Sequence, residues 1–407
     1  MQHDGFVATS GANRDAQASL GQILLIYAVG VAGMLVVSIA IAALGGVAAE
    51  FHPASAALVG WVMSIPAVAA VLGSLLIGAL VDRIGDRPVM LAGAALVAAS
   101  DCGVIAAGSF PLLLLARVIG GLGYVGMVVA AVAMIGRSTQ GARRTLALAL
   151  WSTVIPASFV VATLVAIAGR AGNFAWRVPF AAHGLLALVV IAAAATILPR
   201  TGAGGGVGGA VPGNRLTGLR RVVRAAGPWQ LGASFCGAAF LQTGLVAVLP
   251  ALLAARLGVS QTVVQAFALP GMICNVVGAF GFGALRARGL GADRAGIAAT
   301  LVVLVGAIGL CLSPGSLTAA LMLDCLVMIG LGVLVGMWAL LPAVVPDPSC
   351  YGAASGMITQ ITLLGVLLGP PLAFALSGSD GRMITFILVG AGLALFGLPV
   401  WRGQGSS

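Results

Sequence analysis

The sequence predicts an all-α polytopic membrane protein with twelve membrane-spanning helices, and three observations carry that prediction. Apolar residues make up 60% of the chain and charged residues 7%, for a mean hydropathy of +1.14. A soluble chain so composed would present a continuous apolar surface, which is an aggregation liability. The apolar residues fall in successive runs long enough to cross a bilayer, which takes about 20 residues of helix. Runs such as Gln22–Val47 also lack the alternating polarity that a membrane β-strand requires.

Span 1 is expected at residues 20–46, after nineteen polar residues of mixed charge. It exceeds the core of about 7–15 residues typical of a cleavable signal peptide, so it is read as retained. Spans 2 to 6 follow at 57–81, 88–108, 111–136, 145–168 and 177–198. Residues 199–228 break the pattern: glycines at 202, 204, 205, 206, 208 and 209 precede a basic run from Arg215 to Arg224. Glycine-rich sequence behaves as flexible coil, and arginines in such a loop suit the anionic inner leaflet. Spans 7 to 12 are expected at 229–255, 262–285, 294–312, 316–342, 354–377 and 382–401. The chain therefore divides into residues 1–198, a linker at 199–228, and residues 229–407.

Arginine placement sets the expected orientation, since positively charged loops stay in the cytoplasm. The chain has no lysine, and with both ends inside, fifteen of its twenty arginines lie in cytoplasmic segments. Four lie on the other face (Arg170, Arg177, Arg256 and Arg382), and Arg117 is intramembrane. The net charge of +10 thus serves topology, and nucleic acid is not needed to explain it. The six cysteines show no paired spacing, so neither disulfides nor a metal site is expected.

The halves repeat. Gly108-Ser109 before span 4 is matched by Gly315-Ser316 before span 10, and Gly121-Leu122-Gly123 by Gly330-Leu331-Gly332. Gly78-Ala79-Leu80 at the end of span 2 is matched by Gly283-Ala284-Leu285 at the end of span 8. Such repeats let transporters rock two bundles about a site near the bilayer midplane.

One stretch stands apart: Gly78-Ala79-Leu80-Val81-Asp82-Arg83-Ile84-Gly85-Asp86-Arg87-Pro88, a compact charged turn between two apolar runs. With the twelve runs and the repeat, it resembles the loop between helices 2 and 3 of the major facilitator superfamily of secondary transporters. The resemblance implies two pseudo-symmetric six-helix bundles that form the major facilitator fold. It implies that Gly78 and Gly85 permit close approach and a tight turn, with Asp82 near the start of span 11. Arg83 and Arg87 complete the implied gating motif, which would part as the inward-facing side opens. Arg117-Val118-Ile119-Gly120-Gly121 resembles the arginine motif of proton-coupled members, although an arginine near a helix end can also snorkel to the interface. Exporters of the superfamily carry a glycine-proline pattern in helix 5. Here span 5 has only Pro156, and Gly356, Gly365, Gly369 and Pro370 give that spacing in span 11. Pro370 and Pro371 are expected to break span 11, making Gly365, Gly369 and Pro370 a hinge.

Charge inside a membrane is costly and tends to be functional. Asp324 occupies the position in span 10 that Arg117 occupies in span 4, eight residues after the respective serines. The two are expected to face one cavity and pair, with Asp324 carrying a coupling proton that Arg117 tunes. Asp101 is a weaker candidate, and His183 is read as a packing residue. Candidate cavity residues are Tyr124, Gln242, Trp61, Trp151, Asn275, Trp338 and Gln360, with Ser64, Thr243 and Thr359 beside them. A largely apolar cavity with a few fixed polar groups suits a mid-sized amphiphilic solute.

These residues lead to proton-coupled efflux of a small organic molecule, drug-like or a metabolite such as a siderophore. Proton-coupled import of an organic anion and a non-transporting assembly or sensing role stay open as alternatives. The expected partners are a small-molecule substrate, protons and the lipid bilayer, with the chain a monomer in the inner membrane. No cofactor and no enzymatic activity are expected, and a phosphate loop of the GxxxxGK type is impossible without lysine.

Overall fold

The structure is a computed structural model that describes residues 17–53, 56–199, 215–259, 261–312 and 315–403. The glycine-rich stretch of the expected linker, 202–209, lies outside the described residues. Among the described residues the regular structure is helical throughout, and helices occupy all twelve expected runs. Span 2 is Ala56–Ile84, span 3 Asp86–Ala106, span 4 Phe110–Ser138 and span 6 Val178–Ile197. Span 7 is Ala226–Leu257, span 8 Gln261–Ala287, span 9 Ala292–Cys311 and span 11 Tyr351–Leu376. Among the described residues ten helices are long and apolar enough to cross a membrane, or eleven when the two pieces of span 5 count together. Span 12 is the shorter Asp380–Leu395, and Leu398–Arg402 completes its run. This is a multi-pass membrane protein.

Three spans depart from simple rods, each for a local reason. Span 1 runs Leu20–Ser38, tightens into a 3-10 turn at Ile39–Ala42 and resumes at Leu44–Phe51. Its start is a capping box in which Ser19 and Gln22 satisfy each other's backbone N–H groups. Span 5 is not one helix but two, Gly141–Trp151 and Val154–Ala171, bent by 41°. Pro156 has no N–H for the carbonyl four residues back at Ser152, where the break falls. The Ser152 and Thr153 hydroxyls turn back to the carbonyls of Ala149 and Leu150 at 2.6 and 2.7 Å. Span 10 runs Leu317–Gly336 and ends through a 3-10 turn, Met337–Leu340, and a last helical turn, Leu341–Val344.

Packing repeats between the halves. Ser109 and Ser316 cap spans 4 and 10 with nearly identical backbone angles, φ −150 ψ 155 and φ −154 ψ 160. Span 4 lies against the span 2 backbone where Gly121 meets Pro66, and span 10 lies against span 8 where Gly332 meets Asn275. On the face opposite the Gly78–Pro88 turn, each half carries one arginine brace. Arg177 donates to both carboxylate oxygens of Glu50 at 2.7 and 2.6 Å, and its Nε to the Ile105 carbonyl at the end of span 3 at 3.0 Å. In the second half Arg256 pairs with Asp380 and donates to the Cys311 carbonyl at the end of span 9. The geometry is conserved while the charges exchange places.

The first brace makes a pH prediction. The Arg177 hydrogen bonds, helped by the Trp176 indole, hold the Glu50 carboxyl down at about 2. Because the folded-state value is depressed, the brace contributes in full above the ordinary carboxylate range, and its contribution declines progressively as pH falls from about 5 toward about 2. The difference in melting temperature between wild type and Glu50→Gln is therefore expected to stay constant between about pH 8 and pH 6 and to shrink below about pH 5. A difference that stayed constant down to about pH 3 would contradict the brace.

Candidate functional site

The charged turn closes one face of the molecule. Gly85 adopts φ 95, which glycine tolerates and L side chains rarely do, and its N–H caps the Val81 carbonyl at 2.9 Å. That turn brings Asp82 and Asp86 to the same place. Asp82 accepts from the backbone N–H groups of Gly352 and Ala353, both at 2.8 Å, so it caps the first turn of span 11. A carboxylate there is favoured by the helix dipole. Spans 2 and 11 can approach this closely because Gly78 lies directly on the Gly352 carbonyl, and any Cβ at 78 would collide with it. Arg137, at the end of span 4, bridges Asp82 and Asp86 with its two terminal nitrogens.

The expected gating arginines are corrected here. Arg83 is exposed and makes no hydrogen bond or ion pair with the described residues. Arg87 donates to the Ala195 carbonyl of span 6, within its own half. Neither meets Asp82, because the helix that starts at Asp86 carries Arg87 toward span 6 and leaves Arg83 in solvent. The arginine that holds the carboxylates is Arg137, which sequence reading took only as a topology marker. Its placement in the last turn of span 4, at the same membrane face as the charged turn, was the available signal.

Arg117 is fully buried, at 0% exposure, and does not snorkel. Its Nε donates to the Val62 carbonyl at 3.0 Å and one terminal nitrogen to the Val36 carbonyl. Val62 stands four residues before Pro66, so its carbonyl has no helical donor, and the arginine takes the vacated acceptor. Val36 lies just before the 3-10 turn of span 1. The guanidinium also lies over the Phe180 ring, 5.4 Å from its centroid, and Trp176 and Phe51 continue that aromatic stack outward. One cation thus joins spans 1, 2, 4 and 6. Its other terminal nitrogen, Nη1, has no hydrogen-bond partner among the described residues.

The expected pairing of Arg117 with Asp324 is not found. Asp324 lies in the other half, its carboxylate against the bare backbone of Gly271 in span 8, half-buried and without a hydrogen bond or ion pair among the described residues. The charged group near Arg117 is instead Asp101 in span 3. His183, read from sequence as packing, is paired with Asp101: its Nδ1 lies 2.8 Å from Asp101 Oδ2. Equal depth in two repeats does not imply adjacency, since each repeat folds on itself.

The candidate cavity residues separate into four groups. Tyr124, Gln242 and Thr359 are buried at the middle of spans 4, 7 and 11, and Gln242 Nε2 and Thr359 Oγ1 lack partners among the described residues. Gln360 and Ser64 are half-buried, and Thr243 bonds back to Ala239 at 2.8 Å. Three others pack between helices. Asn275 donates to Met328 across spans 8 and 10 at 3.1 Å. Trp338 stacks on Phe235 with centroids 4.9 Å apart. Trp151 fills the space left by Gly30 of span 1. Trp61 is 42% exposed.

The hinge is corrected as well. Span 11 continues through Pro370 and Pro371 to Leu376, because both prolines fall in its last two turns. Gly365 and Gly369 serve close approach instead, Gly365 facing the Cys236 carbonyl and Gly369 the Phe240 carbonyl of span 7.

A helical chain of this kind, with one face sealed between spans 2 and 11, meets its family in sequence too. The family model described as Major Facilitator Superfamily matches residues 23–370. The chain belongs to the Major Facilitator Superfamily. No curated protein sequence matches it. Among solved structures it is similar to the human organic anion transporter MFSD10 (TETRAN), with TM-score 0.75, 17% identity, and 93% of this chain and 98% of that chain covered. It is also similar to the Major Facilitator Superfamily transporter FucP in the outward conformation, with TM-score 0.73, 14% identity, and 95% and 99% covered. At these identities the likeness shows the fold, and the superfamily is one of membrane transporters. Twelve spans agree with that fold.

Proposed function

We propose that this superfamily member exports a small organic molecule, drug-like or a metabolite such as a siderophore, by proton antiport with alternating access. The observation that carries the reading is the sealed crossing at Asp82, where one carboxylate caps span 11 and shares Arg137 with Asp86. The crossing combines these polar contacts and facing glycines with a small apolar cluster that takes in Leu75, Ala353 and Met357. With both termini inside, the sealed face is the cytoplasmic one and the conformer is outward-facing, in keeping with the likeness to the outward form of FucP. The two bundles comprise residues 1–198 and 229–407, joined by the linker.

Buried polar atoms are nearly always hydrogen-bonded, so each exception calls for an explanation. Gln242 Nε2, Thr359 Oγ1 and Arg117 Nη1 are unpartnered within the described residues, and a bound solute would satisfy them. Asp324, half-buried and without an ion pair among the described residues, is the residue assigned to the coupling proton. Asp324→Asn is expected to abolish proton-driven movement while expression and solute binding persist; full coupled transport by that variant would remove Asp324 from the mechanism.

A second reading, uptake of an organic anion, is favoured by the free Nη1 of Arg117 and by the likeness to a transporter of organic anions. Vesicles of both orientations separate the two. A panel of siderophores, antibiotics and organic acids is first ranked by thermal shift of the purified protein. The best binder is expected to accumulate in inverted vesicles with an acidic lumen and to leak out when a protonophore is added. Accumulation confined to right-side-out vesicles would establish uptake instead.

A further inference from the structure

We propose that Arg220, Arg221 and Arg224 form a binding site for the phosphate headgroup of an anionic phospholipid, which fastens the linker helix to the second half. The proposal does not depend on the direction of transport. The helix Arg215–Arg224 precedes span 7, and Ala225, extended at φ −79 ψ 129, separates the two. A helix advances about 100° per residue, so the three arginines fall within an arc of about 100°. The residues on the other side hold the helix in place. Val222 is fully buried in one cluster with Cys350, Ala353, Ala354 and Met357 at the start of span 11, and Leu219 packs against that cluster. The Cys350 thiol faces the Gly218 carbonyl at 3.9 Å.

The arginines line an open cavity of about 440 Å³, completed by Ala225 and Pro346. All three are exposed. Arg220 and Arg224 make no hydrogen bond or ion pair with the described residues. Arg221 meets Asp347 at 3.4 Å, with both side chains about half in solvent. Such a surface pair contributes little. Asp347 is also engaged elsewhere, since its Oδ1 accepts from the Ser349 N–H at 2.8 Å and hydroxyl at 2.6 Å. At least two of the three cations are therefore left without a counter-charge among the described residues. A guanidinium offers phosphate two parallel N–H donors, so this cluster suits a phosphate better than a carboxylate-bearing partner already matched by Asp347.

Two neighbours point to a lipid as the source of that phosphate. Val223 is 40% exposed and Trp229 48% exposed, and the Trp229 indole N–H donates to the Val223 carbonyl at 2.8 Å. Tryptophan concentrates at the membrane–water interface, and clustered arginines are drawn to an anionic leaflet. Acyl chains would cover these apolar neighbours, whereas a soluble phosphate would gain nothing from them.

The test titrates dihexanoyl phosphatidylglycerol into the full chain in detergent and counts bound lipid by native mass spectrometry. Wild type is expected to bind one molecule in preference to dihexanoyl phosphatidylcholine. Arg220→Gln combined with Arg224→Gln is expected to weaken that binding roughly thirtyfold, about fivefold for each arginine near a membrane surface. Arg288→Gln combined with Arg294→Gln removes as much charge from exposed positions on the same face and is expected to leave the affinity unchanged. Asp347→Asn, which frees Arg221, is expected to tighten binding. Equal weakening in the two double variants would reduce the cluster to diffuse charge, and inorganic phosphate binding as tightly as the lipid would make the ligand a soluble anion. Either result, or no preference for phosphatidylglycerol in wild type, would overturn the proposal.

Discussion

Replacing Asp82 by asparagine is expected to open the arginine-rich face. The aspartate accepts two backbone N–H groups of span 11 and shares Arg137 with Asp86. Asparagine keeps one acceptor oxygen, while its amide nitrogen would confront a backbone N–H or the guanidinium, donor against donor. The helix-dipole contribution, about 0.3–1 kcal/mol, goes with the charge. A hydrogen bond to a charged group contributes about 1.5–3 kcal/mol, so the sealed state loses about 3 kcal/mol in all. With 1.4 kcal/mol per factor of ten, the balance between sealed and open forms shifts roughly 100-fold. Spin labels at Arg83→Cys and Ala343→Cys, both exposed at this face on opposite halves, report the shift in a background free of the native cysteines. Wild type should give a short distance and Asp82→Asn a long one. Identical distance distributions would show that the crossing is mere packing.

The second large effect is expected at Arg117. Truncation to alanine leaves the Val62 carbonyl, already deprived of a helical donor by Pro66, unsatisfied in the membrane interior, together with Val36. Each buried acceptor left without its donor costs about 1–3 kcal/mol, so the two together cost about 2–6 kcal/mol. Arg117→Ala should therefore fold poorly. Arg117→Lys is the informative variant, because it keeps the charge but lacks the planar fork that reaches spans 1 and 2 together. Folding yield is expected to be close to wild type, with transport down roughly tenfold to a hundredfold for a loss of about 1.5–3 kcal/mol. Transport by the lysine variant at the wild-type rate would reduce the residue to a buried charge without geometric demands.

What could be read from the sequence follows the range of the interactions. Twelve helices were legible because a bilayer imposes a length and a composition on each one separately. Gly78, Asp82 and Gly85 were legible because a tight turn writes its requirements into adjacent residues. Arg117 was legible as an isolated charge in an apolar run. Partners were not. Arg137 meets Asp82 from more than fifty positions away, and Asp101 meets His183 from the third span to the sixth. Neither pairing leaves a mark in spacing. The repeat even misled, since it set Asp324 opposite Arg117 by number while each half folded about its own charges. Pro66 was a legible signal passed over: it frees the Val62 carbonyl, and a buried arginine needs such an acceptor. Pro156 announced the bend in span 5 in the same way. The prolines of span 11 pointed to a break that their place near the helix end makes unnecessary.

Two bundles that open one face at a time make a definite demand on distances. The most direct measurement records, on one protein in bilayers, the pair Arg83→Cys and Ala343→Cys on the arginine-rich face and the pair Ala49→Cys and Gly378→Cys on the other, by double electron–electron resonance. As pH is varied, and again in Asp82→Asn, one distance should lengthen while the other shortens, each switching between two discrete populations. A single unchanging distribution at both faces, or both faces widening together, would contradict alternating access in this protein.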